Sequence, residues 1–251
     1  MMLRLSNITQ IFGGLNALED VSFSVKEGSI TGIIGPNGAG KTTLFNIVTG
    51  LYTQTGGDVF LGGENISFLE TEELAGRGLV RTFQNVELFR KMTVLENVMV
   101  GLHTKSSSGI FSCAFKLPRQ TREEKAIREK SMVWLKYTGI AELAEMTAGN
   151  LPFGKGRLLE ISRALAAGPK IILMDEPAAG LNSRETAELA LLIRKIRQSG
   201  VTVVLVEHDM DLVMDVCDAI VVLNLGKKLA EGTPREIQEN PAVISAYLGE
   251  G

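Results

Sequence analysis

The sequence predicts an α/β fold with an antiparallel β subdomain and an inserted helical subdomain. Three observations predict it. Short, dense apolar runs at residues 171–174, 201–206 and 219–223 suit parallel strands buried on both faces. Alternation of apolar and polar residues at 3–8 and 21–25 suits half-buried, antiparallel strands. Between about 88 and 165 strand signals become rare and helical ones dominate. The chain therefore reads as one domain, 1–251. Its core and β subdomain span 1–87 and 166–251, and its helical subdomain about 88–165.

Each element has its own signal. Lys26-Glu27-Gly28 is a turn, and residues 29–34 form a more buried strand that runs into a Gly-rich segment. A helix over 41–49 ends at Gly50, and a hairpin over 58–66 turns at Gly62-Gly63. Residues 105–109 read as a loop on composition, and Thr121-Arg122-Glu123-Glu124 as a capping box opening a helix through Tyr137. The charges of 119–130 are mixed in sign and suit a solvated helix face. A helix over 156–167 stops at Gly168-Pro169. Helices over 183–198 and 209–217 separate the last strands, and Thr233-Pro234-Arg235-Glu236 is a second capping box.

Composition excludes several classes. With 45% apolar residues among 251 the chain has ample material for a core, so disorder is excluded as its main state. Its 26 Lys and Arg against 29 Asp and Glu, net −3, exclude nucleic-acid binding by global charge. No apolar run exceeds five residues, where a membrane span needs roughly 18. The first residues lack the apolar core of a signal peptide, so a cytosolic protein is expected. Cys113 and Cys217 fall in no ligand motif and read as two buried thiols.

Gly35-Pro36-Asn37-Gly38-Ala39-Gly40-Lys41-Thr42, followed by Thr43, matches the phosphate-binding P-loop completely, between an apolar strand and a helix. A polyphosphate needs many donors at close range. Glycines let backbone N–H groups curl around its oxygens, the helix N-terminus adds partial positive charge, and Lys41 adds a full one. Thr42 offers a hydroxyl to Mg²⁺. Asp175, at the end of the 171–174 run, is the partner carboxylate for that metal, and Glu176 can polarise a water for attack on the γ-phosphate.

At this point the residues resemble the ATPase subunits of ABC transporters over nearly the whole chain, which implies a P-loop ATPase core, ATP and Mg²⁺. Thr82-Phe83-Gln84 is similar to the family's Q-loop, so Gln84 is expected to contact Mg²⁺ or the attacking water and to sense a membrane partner. Glu207-His208-Asp209 is similar to the switch segment, which gives His208 the γ-phosphate contact and the orientation of Glu176 or the water. His103, in the insertion, reads as structural. Ala179-Gly180-Leu181-Asn182 resembles the D-loop; the same residues also read as a turn capping the next helix through Asn182 and Glu185. Phe12 stands where the family stacks an aromatic ring on adenine.

The family's Leu-Ser-Gly-Gly-Gln signature is replaced here by Leu151-Pro152-Phe153-Gly154-Lys155. Pro152 offers neither hydroxyl nor N–H to a phosphate. Gly154 is retained, Lys155 can add charge, and the following helix can still aim its dipole at the nucleotide of a partner subunit. This form, with the segment from Phe83 to Val98 and the tail from Glu231 to Gly249, is similar to the branched-chain amino acid importers. Urea or amide importers and a lipopolysaccharide-export ATPase look similar as well.

The resemblance implies a cytosolic ATPase on the inner face of the membrane, held by permease subunits and paired with a copy of itself or a homologous ATPase. An extracytoplasmic binding protein acts indirectly, and no nucleic acid is involved. Residues 84–100 are the expected permease-docking surface, although Leu88, Phe89, Met92 and Val94 also suit subdomain core. Two other classes are weighed. A soluble ABC ATPase acting on DNA or ribosomes usually carries a coiled-coil insertion or two fused units, and a P-loop switch protein lacks the Asp175-Glu176 and His208 constellation.

Overall fold

The computed structural model describes residues 1–82, 87–103 and 118–248. In chain order the first elements are β1 (Leu3–Phe12), β2 (Leu15–Val25), β3 (Ile30–Ile34), α1 (Lys41–Val48), β4 (Gly56–Leu61), β5 (Glu64–Asn65), α2 (Thr71–Gly76) and β6 (Leu79–Thr82). Then come α3 (Val94–His103), α4 (Pro118–Thr138) and α5 (Phe153–Ala166). The last are β7 (Ile171–Asp175), α6 (Ser183–Gln198), β8 (Thr202–Val206), α7 (Met210–Val216), β9 (Ala219–Asn224), β10 (Lys227–Gly232), α8 (Pro234–Gln238) and α9 (Pro241–Leu248). They fall into two compact units, Met1–Gln84 with Lys170–Gly251, and Asn85–Pro169.

The first unit holds two sheets. One has the order β10-β9-β3-β8-β7-β6, the other β2-β1-β4-β5. In the six-stranded sheet β9, β3, β8, β7 and β6 run parallel, and β10 closes one edge antiparallel. Every residue of β3, β7 and β8 is buried, as their dense apolar character requires of strands covered on both faces. The other sheet is antiparallel throughout, and β1 and β2 alternate between buried and exposed positions. Gly32 lies in the middle of β3, where a Cβ would stand 2.9 Å from the Sγ of Cys217. That thiol is buried, as expected from the sequence.

The second unit packs α3, α4 and α5 around Val94, Leu95, Val98, Leu135, Ile140 and Leu159. Asn97, wholly buried, donates to the carbonyls of Phe89 (3.1 Å) and Thr93 (2.9 Å) and accepts from the Phe89 N–H (2.9 Å). It thereby pins the segment that enters the unit. Val94 belongs to this core and Leu88 packs on it, whereas Phe89 and Met92 are exposed. The four apolar residues of the expected docking surface are thus divided between core and surface.

Two expectations change. The helix through Tyr137 begins at Pro118, not after Thr121, so Thr121 is no cap. Proline, with its fixed φ and missing N–H, is well suited to the first helical position. The helix expected at 156 starts at Phe153, so Phe153, Gly154 and Lys155 form its first turn. Gln84, the 105–109 loop and Cys113 lie outside the described residues. Among those described, no helix is long and apolar enough to cross a membrane.

Candidate functional site

The site is assembled at the C-terminal ends of the parallel strands. β3 ends at Ile34 and the chain turns at once. Gly35 has φ 153°, and a Cβ there would lie 2.1 Å from the carbonyl oxygen of Leu223, so only glycine fits. Gly40, at φ 99°, is the N-cap of α1 and offers no side-chain oxygen to the helix. The first intrahelical bond runs from Leu44 N–H to Gly40 (2.9 Å). The N–H groups of Lys41, Thr42 and Thr43 therefore precede the helical ladder, at its positive end, where an anion can take them.

Lys41 is buried, and its Nζ donates to the carbonyls of Gly35 (2.6 Å) and Pro36 (2.9 Å). The ammonium is thus held inside the curl of the loop, fixed by its own backbone. Ala39 is tied to the distal hairpin by the Gly226 N–H (3.2 Å). Tyr247 of α9 accepts a hydrogen bond from the Gly35 backbone, while burial pushes its phenol up. The C-terminal segment thus braces the loop from outside.

Asp175 ends β7 at the level of Val206 in β8, which also pairs with Gly28-proximal strand β3 through Ile33. One strand separates β7 from β3, so the two strands lie roughly 10 Å apart at about 4.8 Å per strand. Asp175 is buried, and its Oδ2 accepts from Nη2 of Arg81 at 2.5 Å. Arg81, on β6, is itself anchored by the side chain of Asn46 on α1 (2.7 Å).

Glu176 follows with φ 45°, a strained conformation for a residue with a side chain, costing on the order of 1–3 kcal/mol. A hydrogen bond from its N–H to the Val206 carbonyl (2.9 Å) helps to hold it there. Its Oε1 lies 3.0 Å from Nε2 of His208, which follows β8. Glu207, directly after β8 and 3% exposed, accepts from the backbone N–H groups of Ala178 (2.7 Å), His208 (2.9 Å) and Asp209 (3.3 Å). Burial pushes the Glu207 carboxyl up, against those three donors. Asn182 caps α6 in a capping box with Glu185, the turn reading of that segment.

Phe12, at the end of β1, is 43% exposed and stands edge-on to Tyr52, with ring centroids 5.6 Å apart. In the second unit Pro152 is the N-cap of α5 and contributes no side-chain bond. Gly154 is buried, Lys155 half-buried and Phe153 exposed, and the first turn holds no acid.

Within one unit, then, the structure gathers the P-loop, Asp175, Glu176 and His208. Sequence reasoning missed Arg81, Glu207 and Tyr52. A charged residue inside a strand and an acid directly after the apolar run at 203–206 were the available signals for the first two.

The donor set fits a nucleotide with a magnesium ion. Backbone N–H groups and an ammonium converge on the loop, and Thr42 and Asp175 supply oxygen. Among the described residues no cluster of three or more His, Cys, Asp or Glu could hold a metal alone, so a cation here would share its ligands with phosphate.

Residues 18–179 match the family model described as ABC transporter, and residues 227–251 that described as branched-chain amino acid ATP-binding cassette transporter. The high-affinity branched-chain amino acid transport ATP-binding protein BraF of Pseudomonas aeruginosa is 48% identical over 250 residues, 99% of this chain and 98% of the relative. An ATP-binding cassette of an ABC transporter solved in its ADP conformation superposes with a TM-score of 0.87 at 35% identity, covering 99% of both chains. A dimeric cassette bound to ADP and Pi superposes with a TM-score of 0.79 at 30% identity, covering 93% of this chain and 99% of that one.

Proposed function

The chain belongs to the ABC transporter ATP-binding family, and we propose on that premise that it hydrolyses ATP to drive import of branched-chain amino acids through a membrane permease. The observation that carries the hydrolytic part is the 3.0 Å contact of Glu176 with His208, beside a complete P-loop. The cargo rests on the match of residues 227–251 and on relatives such as BraF.

The residue roles in this reading are these. The N–H groups of the loop from Gly35 to Thr43 and the Lys41 ammonium bind the phosphates, and the Phe12 ring, steadied by Tyr52, takes the adenine face. Thr42 and Asp175 would hold Mg²⁺, which would supply charge to offset that developing on the phosphates. Glu176 accepts a proton from water as its oxygen attacks the γ-phosphorus and the bond to the β–γ bridging oxygen breaks. His208 donates from Nε2 to Glu176 and keeps that carboxylate aimed at the water. Gln84, in the segment similar to the Q-loop, contacts Mg²⁺ or the attacking water.

The catalytic unit is a pair of ATPase subunits, two copies or a copy and a homologue. Pro152, Phe153, Gly154 and Lys155 of one serve the nucleotide of the other. The pair works on the inner face of the membrane, docked through its permease, and an extracytoplasmic protein captures the solute.

Deleting the gene should impair uptake of leucine, isoleucine or valine in intact cells, and the purified chain should bind no labelled leucine in equilibrium dialysis. Normal uptake of all three in a strain without a redundant ATPase would overturn the cargo. Saturable leucine binding to the isolated subunit would overturn the division of labour.

A further inference from the structure

We infer that Arg81 is a positioning residue for the metal-binding carboxylate of Asp175; the inference rests on the reading of Asp175 given above. The guanidinium lies between two elements of the site. Nη2 donates to Asp175 Oδ2 at 2.5 Å, and Nη1 donates to Asn46 Oδ1 at 2.7 Å and Thr49 Oγ1 at 3.3 Å, both on or just after α1. Its carbon also stands 5.6 Å from the centre of the Phe45 ring. Both charged side chains are nearly closed to solvent, Arg81 at 7% and Asp175 at 6% exposure.

The consequence is geometric. A carboxylate on an apolar strand end can rotate about its terminal torsion, which is broad and two-fold. With Oδ2 held by Arg81, that rotation is fixed and Oδ1 is the oxygen left for the metal or its water. Because α1 also begins with Lys41 and Thr42, the same guanidinium ties the orientation of Asp175 to the helix that bears the other metal ligand. A lysine cannot do both, since it lacks the planar fork that reaches Asp175 and Asn46 together.

Partners that orient metal-binding groups typically change metal affinity by roughly 10–100-fold when removed. The test is nucleotide binding by the purified full chain, using a fluorescent ATP analogue, in EDTA and across a Mg²⁺ titration. Arg81→Lys should leave binding in EDTA within about twofold and raise the half-saturating Mg²⁺ concentration about tenfold or more. Asn46→Ala, which keeps the ion pair and removes its anchor, should move it the same way by less. Arg81→Met strips a buried partner and is read only if it folds; the other two variants decide the matter.

Asp175→Asn is the reference. If it raises the Mg²⁺ requirement while Arg81→Lys and Asn46→Ala do not, the positioning role is wrong and the metal reading stands. A lower Mg²⁺ requirement in Arg81→Lys would mean that Arg81 competes with the metal, which also overturns the inference. If Asp175→Asn changes nothing, the metal role of Asp175 fails and the inference goes with it.

Discussion

Glu176 Oε1 and His208 Nε2 meet at 3.0 Å although 32 residues separate them, because each follows one of two neighbouring parallel strands, β7 and β8. Strand pairing of Asp175 with Val206 sets the level of both, and the bond from Glu176 N–H to Val206 locks the turn. The pair is therefore a property of the sheet register, and it yields the first prediction. Glu176→Gln keeps the shape and accepts no proton. Turnover should fall by roughly 10²–10⁴-fold while nucleotide binding persists, and an ATP-dependent dimer should accumulate on a sizing column. His208→Ala should slow turnover by about tenfold or more through the lost bond to a charged group. Near-normal turnover in Glu176→Gln would remove it as the base.

Lys41→Ala removes the one ammonium held inside the loop by Gly35 and Pro36. Charge-assisted bonds are worth about 1.5–3 kcal/mol, so nucleotide affinity should fall roughly 10- to 100-fold. Isothermal titration with Mg-ATP measures this directly, and unchanged affinity would dissolve the phosphate assignment.

Much of this site could be read from the chain because its residues are neighbours in sequence: the P-loop is one segment, and Asp175 and Glu176 directly follow an apolar run. Arg81 could not be found that way. Its partner is 94 residues distant, and β6 is only four residues long with a charge in it, too short to show a period. Tyr52 was missed because only folding brings the residue after α1 beside Phe12 at the end of β1. The start of α5 is expected too late because Gly154 argues against helix, whereas tertiary packing that buries Gly154, Gly156, Arg157 and Leu159 overrides that local preference.

Glu207 gives a pH-dependent prediction. Its carboxyl is pushed above the ordinary value of 4.5 chiefly by burial. The unfolded chain therefore loses this proton at lower pH than the folded one. The group's contribution to stability is full below about 4.5 and declines as pH rises through the folded value. Glu207→Gln lacks this titration, and its amide N–H₂ also faces backbone donors, so the variant should melt lower at acidic pH. The gap in Tm between wild type and variant should narrow from pH 4.5 upward. A gap that widens with pH would show that the three N–H bonds depress the carboxyl instead.

Cys217 should be inert while the protein is folded. Burial pushes its thiol up to about 12, so at pH 8 only about one molecule in ten thousand carries the reactive thiolate. Iodoacetamide should leave the peptide containing Cys217 unmodified for hours and label it readily in denaturant, as mass spectrometry can follow. Fast labelling of the folded chain would mean that the contact of Cys217 with Gly32 in β3 opens easily.

The last prediction separates the role of α5 in its own fold from its role toward a partner's nucleotide. Gly154 is buried, so a new side chain there would disturb packing; Lys155, half-buried in the same first turn, is the better probe. Lys155→Glu puts an acid near the positive end of the helix, which favours the helix itself by about 0.3–1 kcal/mol. The chain should therefore fold and melt normally. If this turn serves the phosphates of a second subunit, the new charge repels them. Nucleotide binding to the monomer should stay within about twofold of wild type, while ATP-dependent dimerisation and turnover both fall, the repulsion being strongest at low salt. Equal loss of monomer binding would show instead that the α5 turn acts on the nucleotide of its own chain, and the shared-site arrangement would be wrong.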